Sequence, residues 1–443
     1  MTDAAALIAA TRFGFAAEGG DLAAIGRDPR RWALAQLHRR PASLPGDLPP
    51  SSRVVAQLLE ARRERKEKTG DPKAAKDEMR DLYIAEVGAR LNAAIASDAP
   101  LLERLVFFWS NHFTVSALRP AVRGFVGAFE REAIRPHVTG RFADMLLAVT
   151  RHPAMCFYLD NVVSIGPNSP FGRRKDKGLN ENLGRELLEL HTLGVDGGYT
   201  QQDVEALARI LTGWTIARLR DPNPGTFRFA PGIHEPGPKV LLGKTYPEAG
   251  VEEGEAALRD LARHPATARH IATKLARHFI ADAPPQPAIE RIAKVFRDSD
   301  GDLREVTAAV INDPEAWRQP FAKVRTPTEL VIAAFRASGV REVPALPLVA
   351  SLRTLDQPAF VAPSPAGWPD VASAWVSPES VLRRAEWCQT FAERLPNPPD
   401  PVAMAEASYG ELLPAETLEA IRRAPSRRVG LALLLASPEF QRR

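Results

Sequence analysis

Residues 180–214 read NENLGRELLELHTLGVDGGYTQQDVEALARILTGW. In the first half, Leu183, Leu187, Leu190 and Gly194 recur at spacings of three and four, which places them on one face of a helix. Asn182, Glu186 and Glu189 repeat with the same spacing on a neighbouring stripe. Gly194 suits the left-handed residue that ends a helix. Thr200 is suited to cap the next helix, with Asp203 in its first turn. The stretch therefore predicts a helix, a tight loop and a second helix, with a polar stripe beside the buried face.

The same periodicity runs through most of the chain. It predicts helices around 28–39, 52–68, 73–97, 100–110, 122–134 and 140–150. After the hairpin it returns at about 252–262, 265–281, 287–297, 303–312, 327–338, 378–393, 415–422 and 427–434. Period-two alternation is rare. Thr226–Phe229 and Lys239–Leu242 flank Pro231-Gly232 and are expected to form one small ribbon. Pro-rich connectors at 41–50, 283–287, 343–347, 361–369 and 396–401 punctuate the helices, and none is long or polar enough for a flexible linker. No fixed-period repeat argues for a solenoid. The expected fold class is all-α: one large multi-helix domain over 1–443 with at most a small β-ribbon, any division into two lobes falling near 220–250.

Composition narrows the class. The 443 residues are 45% hydrophobic and 25% charged, as in ordinary globular chains. Lysine and arginine total 58 against 54 acids, a net charge of +4. That excess is interleaved with acids, as in Arg62-Arg63-Glu64-Arg65-Lys66-Glu67-Lys68, so it reads as solvated helix faces. The densest basic run, Arg173-Arg174-Lys175, is placed in a loop and followed by Asp176. No recognised module or aromatic-interleaved stripe accompanies it, so no nucleic-acid partner is expected. Cys156 and Cys388 cannot build a disulfide scaffold or a zinc ribbon and read as buried free thiols. Asp3, Arg12 and Glu18 interrupt the N-terminal apolar stretch, so a cytoplasmic location is expected. No run reaches the ~18 apolar residues of a transmembrane segment. Asp298, Asp300 and Asp302 alternate like a calcium loop. Gly301 comes two positions too early for one, and Ala309 stands where the bidentate glutamate belongs, so Asp302 reads as a helix cap.

Further motifs surround the hairpin. They include Phe107-Phe108-Trp109-Ser110-Asn111-His112-Phe113, Pro153-Ala154-Met155 and Tyr158-Leu159-Asp160-Asn161. His234, Lys239 and Leu242-Gly243 follow, then His264-Pro265-Ala266-Thr267-Ala268 with Lys274-Leu275, and finally Pro365-Ala366-Gly367-Trp368-Pro369 with Trp375. In these blocks, over nearly its whole length, the chain resembles the bacterial family catalogued as domain of unknown function 1800. The resemblance implies an α-helical single-domain architecture. It also implies frequent export, hence a periplasmic or secreted location, and a second family of exported proteins as partners. The interrupted N-terminus departs from the exported pattern.

The functional expectation is an enzyme with a polar His/Asp/Glu cleft, with metal-assisted hydrolysis as one form. His112, Asp160, Glu186 and His234 are the catalytic candidates, expected to converge on one cleft walled by the Asn182–Glu189 helix. Asn182, His191, Trp214 and Trp368 are the candidate ligand-binding residues. Histidines and carboxylates could also hold a divalent metal, although no HExxH or paired CxxC signature names one. Each residue has an ordinary explanation too. Glu181, Arg185 and Glu189 are spaced as a surface ion-pair ladder. Asn111-His112 can close a helix and Asp160-Asn161 can form a turn. His191 can be a structural imidazole at a helix end, and Trp214 and Trp368 can be core or pocket wall. The alternative function is a non-catalytic binding or assembly protein for a peptide, glycan or partner protein.

Overall fold

The hairpin forms, with a shift of phase inside its first helix. The computed structural model describes residues 4–16, 21–175 and 178–443, so Asp3, Glu18 and Asp176 lie outside the described residues. Asn182–Glu186 is α-helical, and Leu187–His191 continues as a π-helix. The wider turn delays the rotation of the chain. Leu188 therefore joins Leu183 and Leu187 in the core, while Leu190, expected there, is only half-buried. Gly194 ends the turn at φ +84°. Thr200 and Asp203 close a capping box at the start of Gln201–Ile210.

The described residues contain 22 α-helices, and most of the expected ones fall where apolar spacing put them. Ser51–Glu67, Pro72–Ala96, Pro100–His112, Phe142–Arg151, Pro265–Phe279 and Pro327–Ala337 are examples. Asp302 caps its helix by accepting from the amides of Arg304 and Glu305. Several expectations need correction. The 122–134 segment is not one helix but a 3₁₀ turn, a short α-helix and a π-helix over Glu130–Ile134. The basic loop at 173–175 is the end of a helix, Pro170–Lys175, because Ser169 accepts from Gly172 N–H and Pro170 fits the first turn. The connectors at 343–347 and 396–401 likewise lead straight into helices Ala345–Thr354 and Pro401–Tyr409. In each case a proline that reads as a breaker serves as a starter.

The two predicted strands exist but do not pair with each other. Trp214–Ile216 pairs antiparallel with Phe227–Phe229, and Lys239–Leu241 with Lys244–Tyr246. Between them Pro231–Ile233 coils into a 3₁₀ turn. Leu242 and Gly243 both have positive φ, which closes the second pair as a tight hairpin. Each strand is three residues long, so strands contribute little.

One hydrophobic cluster runs from Leu7 to Phe440 and includes the centre of nearly every long helix. Trp214 is fully buried in it and packs so tightly on Gly254 that a Cβ there would stand 2.4 Å from the indole. Cys156 and Cys388 are buried and free, and burial pushes both thiols up to about 12. Among the described residues no helix is long and apolar enough to cross a membrane.

Candidate functional site

A cleft of about 570 Å³ lies between the end of Pro100–His112, one face of Pro265–Phe279, the start of Pro327–Ala337 and the 357–371 loops. That volume is in the range of small-molecule sites. Pro265–Phe279 has two faces. Ala268, Ile271, Ala272, Leu275, Ala276 and Phe279 are buried. His270, Lys274 and His278, four residues apart, form a polar stripe with Thr273 and Arg277 along the cleft. His264 starts the helix by accepting from Ala266 N–H, with Pro265 in the first turn.

The 365–371 loop supplies the other side. Asn111 grips it reciprocally: its side-chain amide donates to the Trp368 carbonyl (2.9 Å), and its oxygen accepts from Trp368 N–H (2.7 Å). Gly367 sits at φ +83°, and a Cβ there would lie 2.4 Å from the Asn111 carbonyl oxygen. Only glycine permits both the conformation and the approach. The loop thereby presents Trp368 to the cleft and carries Asp370 to His278.

His278 Nδ1 donates to Asp370 Oδ2 at 2.6 Å, leaving Nε2 without a partner. Lys323 holds the far side of the carboxylate, its Nζ 3.2 Å from Oδ1, and also donates to the Asp370 carbonyl. His278, Lys323 and Arg443 hold Asp370 far below the usual carboxylate range despite its burial. Burial keeps His278 below its ordinary value, with Asp370 opposing.

Two more imidazoles meet the end of the π-helix. His112 Nε2 lies 3.1 Å from the His191 carbonyl oxygen, and His270 Nε2 lies 3.0 Å from that of Leu190. A carbonyl only accepts, so both rings carry the proton on Nε2. Burial, reinforced by Lys274, depresses both, His270 to about 4. His191 itself is fully buried 6.1 Å from His112, ring to ring, with neither nitrogen partnered; burial takes it to about 3. Lys274 makes no hydrogen bond or ion pair within the described residues. Burial lowers its amine to about 8, against the pull of Asp370.

The sequence-predicted residues thus separate. His112 and Trp368 line the cleft, and His191 stands directly behind His112. Asp160, Glu186 and His234 do not line it, so the expected convergence on one cleft is not found. Asp160 sits in a left-handed turn (φ 59°), takes both oxygens to Arg119 at 2.6 and 2.7 Å, and accepts a 3.5 Å contact from Asn182. Glu186, one turn on, is half-buried and raised by burial and by Glu189. The ladder is real: Arg185 lies 3.0 Å from Glu181 and 3.5 Å from Glu189. His234 is sealed elsewhere, with Nε2 3.0 Å from Glu253 and Nδ1 donating to the Thr212 carbonyl at 2.7 Å. Among the described residues no three His, Cys, Asp or Glu stand where they could share a metal ion.

The candidates read from the sequence did not include His270, Lys274, His278 or Asp370, although Lys274 stands in one of its motifs. The signal was present: His-xxx-Lys-xxx-His within a predicted helix, and an acid directly after Trp368-Pro369.

No curated protein and no solved structure matches the chain. A family model described as protein of unknown function (DUF1800) matches residues 8–442. With the match covering nearly every residue, the chain belongs to that family.

Proposed function

We propose that this protein is an enzyme whose cleft carries out acid–base chemistry, with hydrolysis as the reaction class, and that His278 moves the proton while Asp370 orients it. The observation that carries this reading is the 2.6 Å His278–Asp370 contact in the wall of the cleft. A carboxylate on Nδ1–H fixes the tautomer with the lone pair on Nε2, the arrangement a general base needs. Burial keeps the ring neutral and so able to accept a proton. The Phe108 ring packs 5.3 Å from His278, centroid to centroid, and its displacement by substrate is part of the proposal. A metal-assisted form has weaker support from the donor set, because Asp370 and Glu329 are already taken up by His278, Lys323, Arg104 and Arg443.

One observation favours the alternative, a non-catalytic binding or assembly protein: His278 Nε2 is buried as well as unpartnered. Chromogenic carboxylic and phosphoric esters separate the two. Turnover that drops by about 10²–10⁴-fold in both His278→Ala and Asp370→Asn is the expected result. Turnover that survives His278→Ala sinks the catalytic assignment. Tight binding in the cleft without turnover of any ester favours the alternative.

A further inference from the structure

The cleft holds more positive charge than its own walls neutralise. Arg90 lies 2.7 Å from Glu130 and is sandwiched between Phe107 and Phe360, 4.0 and 4.5 Å from their ring centres. Arg104 is paired with Glu329. Lys274 and Arg277 remain. Lys274 has no hydrogen bond or ion pair within the described residues, its one attractive charge being Asp370, which His278 and Lys323 already hold. Arg277 has only a 3.4 Å contact from Nε to the Asp282 carbonyl. They stand one turn apart on the same helix, both in the cleft wall. An ammonium withdrawn from water without a counter-charge is costly, and a bound anion removes that cost.

Much of the remaining wall is aromatic. Phe107, Phe360 and Trp368 line the cleft, and the Asn111 grip holds the Trp368 backbone in place. Such a surface takes a flat apolar body, while the unpaired cations take a charged head.

We propose that the natural ligand of this cleft is a small amphipathic anion, its carboxylate or phosphoryl head on Lys274 with Arg277 beside it, its apolar body against Phe107, Phe360 and Trp368. The inference rests on the cleft being the functional site, as read above, and does not depend on what His278 does. Its test measures binding alone, so it can fail or succeed independently of any turnover. Calorimetric titration of the whole chain with 2-naphthoate, naphthalene-2-phosphonate and the neutral 2-naphthalenemethanol is sufficient. At least one anion should bind about tenfold tighter than the alcohol, and whichever anion wins identifies the head group. Lys274→Met should reduce affinity for that anion about tenfold or more, with the alcohol changed by less than about threefold, and Lys274→Arg should restore it. Equal binding of charged and neutral probes by the wild type overturns the proposal. So does an equal loss of both in Lys274→Met, or the binding of none of the three. If Lys274→Met does not fold, as judged by its thermal melt, the wild-type comparison decides alone.

Discussion

Lys239 and Lys274 both sit low in the protein beside histidines and acids, yet their surroundings differ in kind. Lys239 Nζ is 2.5 Å from the Glu235 carbonyl, 3.2 Å from the Glu253 carboxylate and 3.3 Å from His234 Nε2. Glu253 and His234 meet each other as well, and the group is packed under the ribbons. Lys274 faces a cleft instead, in the company of depressed imidazoles, Arg277 and an Asp370 already committed elsewhere. A charge whose partners are all supplied by the chain is spending its electrostatics on the fold. A charge whose only attractive neighbour is already paired keeps it available for a ligand. His234 drew attention in the sequence and Lys274 came only as part of a motif, but the structure reverses their interest.

That contrast is open to direct attack. The largest effect should come from Glu253→Ala, which leaves Lys239 buried without its carboxylate. A loss of about 3–5 kcal/mol in unfolding free energy is expected, measured by denaturant melts. A loss below about 1 kcal/mol would show the network to be no more than surface-like.

Lys274→Met should act in the opposite direction, stabilising the protein by about 1–3 kcal/mol at neutral pH, since it removes an unpartnered ammonium. The pH dependence follows from the same shift. The amine falls from 10.5 to about 8 on folding, so between those values the unfolded chain binds more protons than the folded one. Stability contributed by this site therefore rises as pH increases from about 8 to 10.5, and the penalty is fully present below 8. Melts across that range should show the rise in the wild type and its absence in Lys274→Met.

His191 offers a smaller test. Its two nitrogens are buried without partners among aromatic rings, so His191→Phe should be neutral or stabilising by about 1 kcal/mol. The wild-type rings of His191 and His270 titrate near 3 and 4, below the ordinary 6.5. In that interval the unfolded chain again binds more protons, so stability falls as pH drops from 6.5 towards 4. Ring chemical shifts that move near pH 6.5 in the folded state would contradict this.

Arg185→Ala should matter least. Its ladder partners Glu181 and Glu189 are part-exposed, and exposed pairs at this spacing contribute well under about 1 kcal/mol. A thermal melt indistinguishable from wild type within that limit is expected.

Much of the fold was legible because its causes are local. Thr200, Asp302 and Gly194 act on backbone groups within a few residues, and the apolar spacing of Pro265–Phe279 or Gln286–Asp298 commits a face wherever the helix docks. The misreadings came where two local rules competed. Pro170 and Pro401 could end a helix or begin one, and the preceding Ser169 and Asp400, by accepting from first-turn amides, decided for beginning. The candidate site was legible only in part. His112 and Trp368 line the cleft as the sequence suggested, but His270, Lys274 and His278, which share it with them, come from a helix remote from both along the chain.

By itself, then, the sequence determined a mainly helical body, its main helices and caps, and a set of polar residues worth following, since these depend on periodicity and short-range hydrogen bonding. Only the tertiary structure decided the phase shift that exchanged Leu190 for Leu188 in the core, because a π turn is adopted to suit what packs around it. It alone decided that Asp160 would find Arg119, that His234 would find Glu253, and that Asp370 would find His278 across 92 residues. Whether a buried charge is structural or functional depends on the partners it meets, and those are brought together by packing rather than by position in the chain.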